Sequence, residues 1–153
     1  MKRNILIVLL LMVSLVVGII VWPEELTEKE RVEQVIHHIR DGIEQEVLAD
    51  VMEGFSKSYK DEAGGSYDMI KGLFMRQFLK SDPITIQLSP MKVDVDENIA
   101  EANFDAAIFE GEGASIFAIP NKSDVLNFNV QFTKDSEGDW KITSHTREFN
   151  ADQ

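Results

Sequence analysis

Leu126-Asn127-Phe128-Asn129-Val130-Gln131-Phe132-Thr133 alternates apolar and polar side chains without a break. Successive side chains of a strand point to opposite faces, so this period of two puts Leu126, Phe128, Val130 and Phe132 on one buried face. Asn127, Asn129, Gln131 and Thr133 fall on the other. Upstream, Ala100, Ala102, Phe104, Ala106 and Ile108 share one face of a second long strand. Downstream, residues 135–139 turn the chain, and Trp140, Ile142, Ser144 and Thr146 continue the alternation on what is expected to be the inward face. Val93 and Val95 alternate with Asp94 and Asp96, and Ile84, Ile86 and Leu88 form a further strand ahead of the interruption at Pro90. Tight turns join these strands, so the sheet is antiparallel.

Before Pro83 the period is helical. Thr27-Glu28-Lys29-Glu30 is a capping box, in which the Thr27 hydroxyl takes a backbone N–H three residues on and Glu30 reaches back. The helix it opens carries Val32, Val35, Ile36, Ile39 and Ile43 in one stripe and is expected to run to about Gln45. Residues 47–55 give a second helix burying Val47, Leu48, Val51, Met52 and Phe55. Residues 56–66 are polar, contain Gly64-Gly65 and read as loop. Residues 67–79 return to helical spacing with Ile70, Leu73, Phe74 and Phe78. Helices followed by antiparallel strands make an α+β fold, with three helices packed on one face of a strongly curved sheet.

The N-terminus adds a different element. Lys2 and Arg3 precede an uncharged run from Ile5 through Trp22, which Pro23 ends. Eighteen helical residues rise about 27 Å, close to the ~30 Å hydrocarbon core of a bilayer. The two basic residues favour a cytoplasmic N-terminus, and Trp22 suits the far interface. The expectation is a single-pass anchor over residues 1–23, an extracytoplasmic domain over residues 24–150 held outside the cell membrane, and a tail over residues 151–153. A cleaved signal peptide is the competing reading, but no Ala-x-Ala site is present and Val16-Val17-Gly18 lies inside the apolar run. Beyond the anchor, 13 basic residues face 27 acidic ones, a net charge of −14. Such a surface repels phosphate backbones, so nucleic acid is not an expected partner. The chain has no cysteine, which excludes thiol chemistry, disulfides and zinc–thiolate sites.

Three stretches carry a family resemblance. Phe55-Ser56-Lys57-Ser58-Tyr59-Lys60-Asp61 resembles the end of helix two in the NTF2-like (SnoaL-like, cystatin-like) superfamily. The strand pair around Ile99-Ala100-Glu101-Ala102 and the hairpin Gly138-Asp139-Trp140-Lys141-Ile142 are similar to later parts of the same cone. The resemblance spans residues 26–149 and implies a pocket between helices and bent sheet. It fixes no chemistry, because the superfamily holds isomerases, dehydratases and hydrolases beside non-catalytic binding and assembly domains.

Acid/base chemistry in such a pocket needs a buried acid or imidazole beside a phenol or second acid. Tyr59, Asp61 and Tyr67 are the candidates, at the helix–loop junction that the resemblance places near the pocket. No Asp, Glu or His falls on the inward strand positions, where Ser144 and Thr146 are the polar groups. His145 is expected on the outer face with Lys141, Thr143 and Arg147. His37 and His38 point away from the apolar stripe, as solvated surface groups, and diverge by about 100°, so they do not chelate one ion. The run from Asp94 to Asp105 lacks the glycine and the terminal glutamate of a calcium loop. Gly111-Glu112-Gly113 begins no phosphate-binding loop, since Ile116 occupies the last glycine position. No metal and no cofactor are expected.

The alanines at 100, 102 and 106 leave room in front of the sheet. Either a helix packs close, or an apolar cavity remains, lined by Phe55, Phe74, Ala102, Phe104, Phe128, Phe132, Trp140 and Ser144 and suited to a small apolar ligand. Ile116, Phe117 and Ile119 either form a partner surface or extend the hairpin inward. Asn121-Lys122-Ser123 fits a glycosylation acceptor. The uncharged amides of Asn127, Asn129 and Gln131 suit water or a sheet contact in a homodimer. The leading expectation is a non-catalytic domain that binds a small apolar ligand or serves a membrane assembly; the alternative is a SnoaL-like acid/base enzyme.

Overall fold

A computed structural model describes residues 25–79, 83–110 and 125–149. The expected anchor from Ile5 through Trp22, the apolar residues Ile116, Phe117 and Ile119, the Asn121 acceptor and the tail all lie outside the described residues. Among the described residues, no helix is long and apolar enough to cross a membrane.

Helix α1 (Glu28–Glu44) starts as its sequence dictates: Thr27 Oγ1 accepts the Glu30 N–H and Glu30 accepts the Thr27 N–H, closing the capping box. Its stripe buries Val32, Ile36 and Ile39. Gly42 lets α2 (Leu48–Glu53) approach, since a Cβ there would sit 3.0 Å from Val51. Helix α2 is shorter than expected, and Val47 is left exposed. Ser66 caps α3 (Tyr67–Phe78), which buries Ile70. Leu73, assigned to the buried face, is instead 51% exposed; Met75 is about as open to solvent, and Met69 and Leu79 are more so.

Five strands follow: β1 (Ile84–Leu88), β2 (Lys92–Asp96), β3 (Ile99–Glu110), β4 (Val125–Lys134) and β5 (Trp140–Phe149). All pairings are antiparallel. β1 and β2 lie end to end along one edge of β3, interrupted at Pro90. There the Ser89 hydroxyl accepts the Asp105 N–H at 2.9 Å, and the Ser89 N–H reaches the Asp105 carbonyl at 2.9 Å, so the break leaves neither group unpaired. β4 and β5 complete the sheet.

The alanine face of β3 is filled rather than hollow where α1 crosses it. Ala102 and Phe132 have no solvent exposure, Trp140 has 2%, and Val32, Ile36, Ile39 and Val51 join them in one apolar cluster. Of the two outcomes open for the small side chains, close packing is the one adopted here. Glu28 fixes this end of the sheet to α1, accepting the Trp140 indole N–H at 2.8 Å and the Lys134 ammonium at 2.9 Å.

One irregularity reorders the other end. From Lys134–Trp140 to Phe132–Ile142 the β4–β5 pairing runs in one register; from Gln131–Ser144 to Leu126–Phe149 it runs in the next. Thr143 is the extra residue, and a bulge of this kind reverses which side chains face inward beyond it. Ser144 and Thr146 were expected inside. They lie on the outer face, opposite Gln131 and Asn129, and the Ser144 hydroxyl bonds the Gln131 side chain at 3.1 Å. His145, expected outside, shares the inner face with Val130, and Arg147 pairs with Phe128.

Candidate functional site

The bulge acts together with a strap. After α2, the backbone of residues 54–60 runs along the free edge of β5: Ile142 N–H donates to the Gly54 carbonyl at 2.8 Å, Ser56 N–H to Ile142 at 2.9 Å, and Lys60 N–H to Thr143 at 3.0 Å. The strap reaches the edge because residue 54 has no side chain; a Cβ there would collide with the Ile39 side chain of α1. It covers an edge that would otherwise be open to pairing, and it delivers Tyr59 to His145.

Tyr59 is 1% exposed, and its hydroxyl lies 2.5 Å from His145 Nδ1 and 3.3 Å from Asp61 Oδ2. The imidazole stacks on the phenol ring, 5.9 Å between centroids, and leans on Phe128 at 6.1 Å. Phe128 stacks in turn on Phe104. Asp61 sits in a small reversal closed by the Lys60–Ser66 bridge, where its Oδ1 accepts the Gly65 N–H at 2.6 Å. Gly65 leaves room for that carboxylate, which a Cβ at this position would displace.

Electrostatics orders the protons in this chain. The Gly65 N–H, foremost, and the Tyr59 hydroxyl hold the Asp61 carboxyl below its usual range, so it is ionised and can only accept. Burial, then the charge of Asp61, raises the Tyr59 phenol, which keeps its proton. Burial lowers the His145 imidazole, helped by the positive charge of Arg147 and opposed by Asp61, so the ring is neutral at pH 7. A carboxylate cannot donate, so the phenol proton goes to Asp61 and the phenol oxygen accepts Nδ1–H from His145. That leaves the lone pair on Nε2, which has no hydrogen-bond partner among the described residues. The arrangement is a basic nitrogen at an aromatic, partly open end of the cone, backed by a phenol and a carboxylate.

Of the three sequence candidates, Tyr59 and Asp61 join this cluster. Tyr67 does not; its hydroxyl meets Lys57 in a separate cleft. His145 was missed, and the absence of an inward imidazole is corrected by it. One signal was in the sequence: Trp140 and Ile142 occupy even positions and Phe149 an odd one, so a single apolar face over the whole strand requires a register break. Of the expected pocket residues, Ala102, Phe104, Phe132 and Trp140 are packed core, while Phe55, Phe74 and Phe128 are partly buried. Ser144 lies on the opposite face. His38 is an exposed partner of Glu53 at 3.3 Å. His37 departs from the solvated expectation, since its Nδ1 is shielded and unbonded among the described residues. The described residues hold no cluster of three or more metal-ligating side chains.

No protein-family model matches the sequence, and no curated protein does. Solved structures match in fold. An NTF2-like protein of unknown function from Pseudomonas putida superposes with a TM-score of 0.62 at 10% identity, covering 78% of this chain and 84% of that one. A proposed dehydratase of the NTF2-like family from Streptomyces avermitilis gives 0.62 at 13% identity, over 78% and 94% of the two chains. A proposed ketosteroid isomerase from Shewanella frigidimarina gives 0.59 at 16% identity, over 77% and 94%. The chain has the NTF2-like fold, as the sequence resemblance implied. At these identities the likeness carries the fold alone.

Proposed function

We propose that the chain is a membrane-tethered NTF2-like domain, held on the outer side of the cell membrane, that binds a small, largely apolar ligand bearing one hydrogen-bond donor. The observation that carries this reading is the placement of the His145 imidazole beside the Phe104–Phe128 stack, held through Nδ1 by Tyr59 and with Nε2 unpartnered among the described residues. Ligand sites of this kind combine aromatic walls with a few placed polar groups. The tether rests on the uncharged run from Ile5 through Trp22. Extraction of membranes at alkaline pH leaves a tethered chain in the pellet; its appearance in the supernatant would remove the tether. Binding is tested on the full chain with 2-naphthol and 2-methoxynaphthalene. 2-Naphthol is expected to saturate and to shift His145 Nε2 and the Phe128 ring, and the methyl ether to bind at least about tenfold more weakly, the ordinary worth of one buried hydrogen bond. Equal binding of both, in the wild type and in His145→Phe, would defeat the proposal.

A second reading draws on the same cluster. A neutral imidazole backed by a phenol and a carboxylate is a competent general base, so the domain would abstract a proton from an acidic C–H or O–H of its ligand. Deuterium uptake from heavy water into an enolisable cyclic ketone, lost in His145→Phe, distinguishes catalysis from binding. An assembly subunit, by contrast, would leave this end of the cone unused.

A further inference from the structure

A concavity lies outside the cone, along the strap and the β4–β5 turn. It is a broad, open cleft of about 780 Å3, within the range of small-molecule sites. Its floor is apolar, from Leu48, Met52 and Phe55, and Lys57, Lys71 and Lys141 reach it from the strap, α3 and β5. The chain as a whole has 27 acidic residues against 15 basic ones, so three ammonium groups at one cleft run against its charge. Glu53 and Asp135 also line the cleft. The local balance is therefore a single positive charge.

The lysines are available. Lys71 makes no ion pair among the described residues, and Lys141 approaches Asp135 only to 3.9 Å. Lys57 lies 2.5 Å from the Tyr67 hydroxyl and 3.9 Å from the ring centre, which holds the ammonium on the aromatic wall of the cleft instead of on a carboxylate.

We infer that this cleft binds an amphipathic monocarboxylate, its alkyl chain on Leu48, Met52 and Phe55 and its headgroup among Lys57, Lys71 and Lys141. One net positive charge matches a singly charged headgroup. An apolar floor beneath a cationic rim selects against both a polar anion and a neutral alcohol. The site shares no lining residue with the Tyr59–Asp61–His145 cluster, and the two meet where the Phe55 ring touches Tyr59.

The test uses the full chain in zwitterionic nanodiscs with 13C-labelled methionine methyls, titrated with hexanoate, hexanol and hexylammonium. Hexanoate is expected to shift the Met52 methyl saturably and leave Met91 unmoved. Hexanol and hexylammonium should bind at least about tenfold more weakly, and added salt should weaken hexanoate. The double variant Lys57→Gln/Lys71→Gln is expected to lose about tenfold in affinity with Met91 unchanged, while His145→Phe binds as the wild type. The inference is overturned if hexanol matches hexanoate, if the double variant binds normally, or if Met52 does not move.

Discussion

Replacing Tyr59 by Phe removes one oxygen from the centre of the cluster and little else. The ring keeps its edge contact with Phe55, 5.4 Å between centroids. Two hydrogen bonds are lost, to His145 and to Asp61. Asp61 retains the Gly65 N–H, and both former partners are partly open to water, so the cost lies toward the low end for a buried polar group, about 1–2 kcal/mol. With unfolding entropy of about 2.1 cal/mol/K per residue over the 108 described residues, that lowers Tm by about 4–9 °C. Calorimetry reads the stability, and 15N spectra of the imidazole read the proton. In the wild type Nδ1 carries it, because the carboxylate forces the phenol to donate the other way. In Tyr59→Phe that constraint is gone and the tautomer moves toward Nε2–H. A wild-type ring already protonated at Nε2, unchanged by the substitution, would falsify the proton order and with it the free acceptor at the cone's end.

Other expectations follow from the same contacts. Burial lowers the His145 pKa, so the unfolded chain takes up that proton first; stability is full above about pH 6.5 and declines as pH falls from there toward the folded value. Thermal melts from pH 8 to 5 should show this step in the wild type and not in His145→Phe. A separate acid loss belongs to Asp61, whose contribution is present above its unfolded value near 3.8 and disappears as pH drops through its lower folded value. Gly54→Ala should destabilise by about 1–3 kcal/mol through overpacking against Ile39, and Gly54→Ala/Ile39→Ala should cost less than the two singles added together, in a denaturant double-mutant cycle. Gly65→Ala should push the Asp61 carboxylate off Tyr59 and return the His145 tautomer toward Nε2–H, read in the same 15N spectra.

Much of the architecture was written in local pattern. The capping box at Thr27, the stripe through Val32, Ile36 and Ile39, and the alternation from Leu126 to Thr133 each specify an element because backbone period and side-chain burial agree there. The interruption at Pro90 was legible because proline lacks the N–H that a ladder uses. The bulge at Thr143 carries no such mark: Lys141-Ile142-Thr143-Ser144-His145 contains no proline or glycine, and every residue in it suits a strand. The reversal is set by the strap docking on Ile142 and Thr143, a contact between segments 86 residues apart at Tyr59 and His145. Tyr59 and Asp61 could be nominated from the loop they share, whereas for His145 the parity change between Ile142 and Phe149 signals a break without placing it, and the meeting of the two segments fixes where it falls. Leu73 failed for a related reason, since a helix stripe shows which residues could be covered but not how much of α3 the sheet reaches.

The extra residue at Thr143 also bears on how this chain is to be compared with others. A protein lacking that extra residue would pair without a bulge and present the same side chains to the cone, each at a position displaced by one. An ungapped column-by-column alignment would then equate a histidine that lines the cone with a residue that faces the solvent. Whether a homologue possesses this imidazole must be judged by counting from the bulge, not from the strand's first residue.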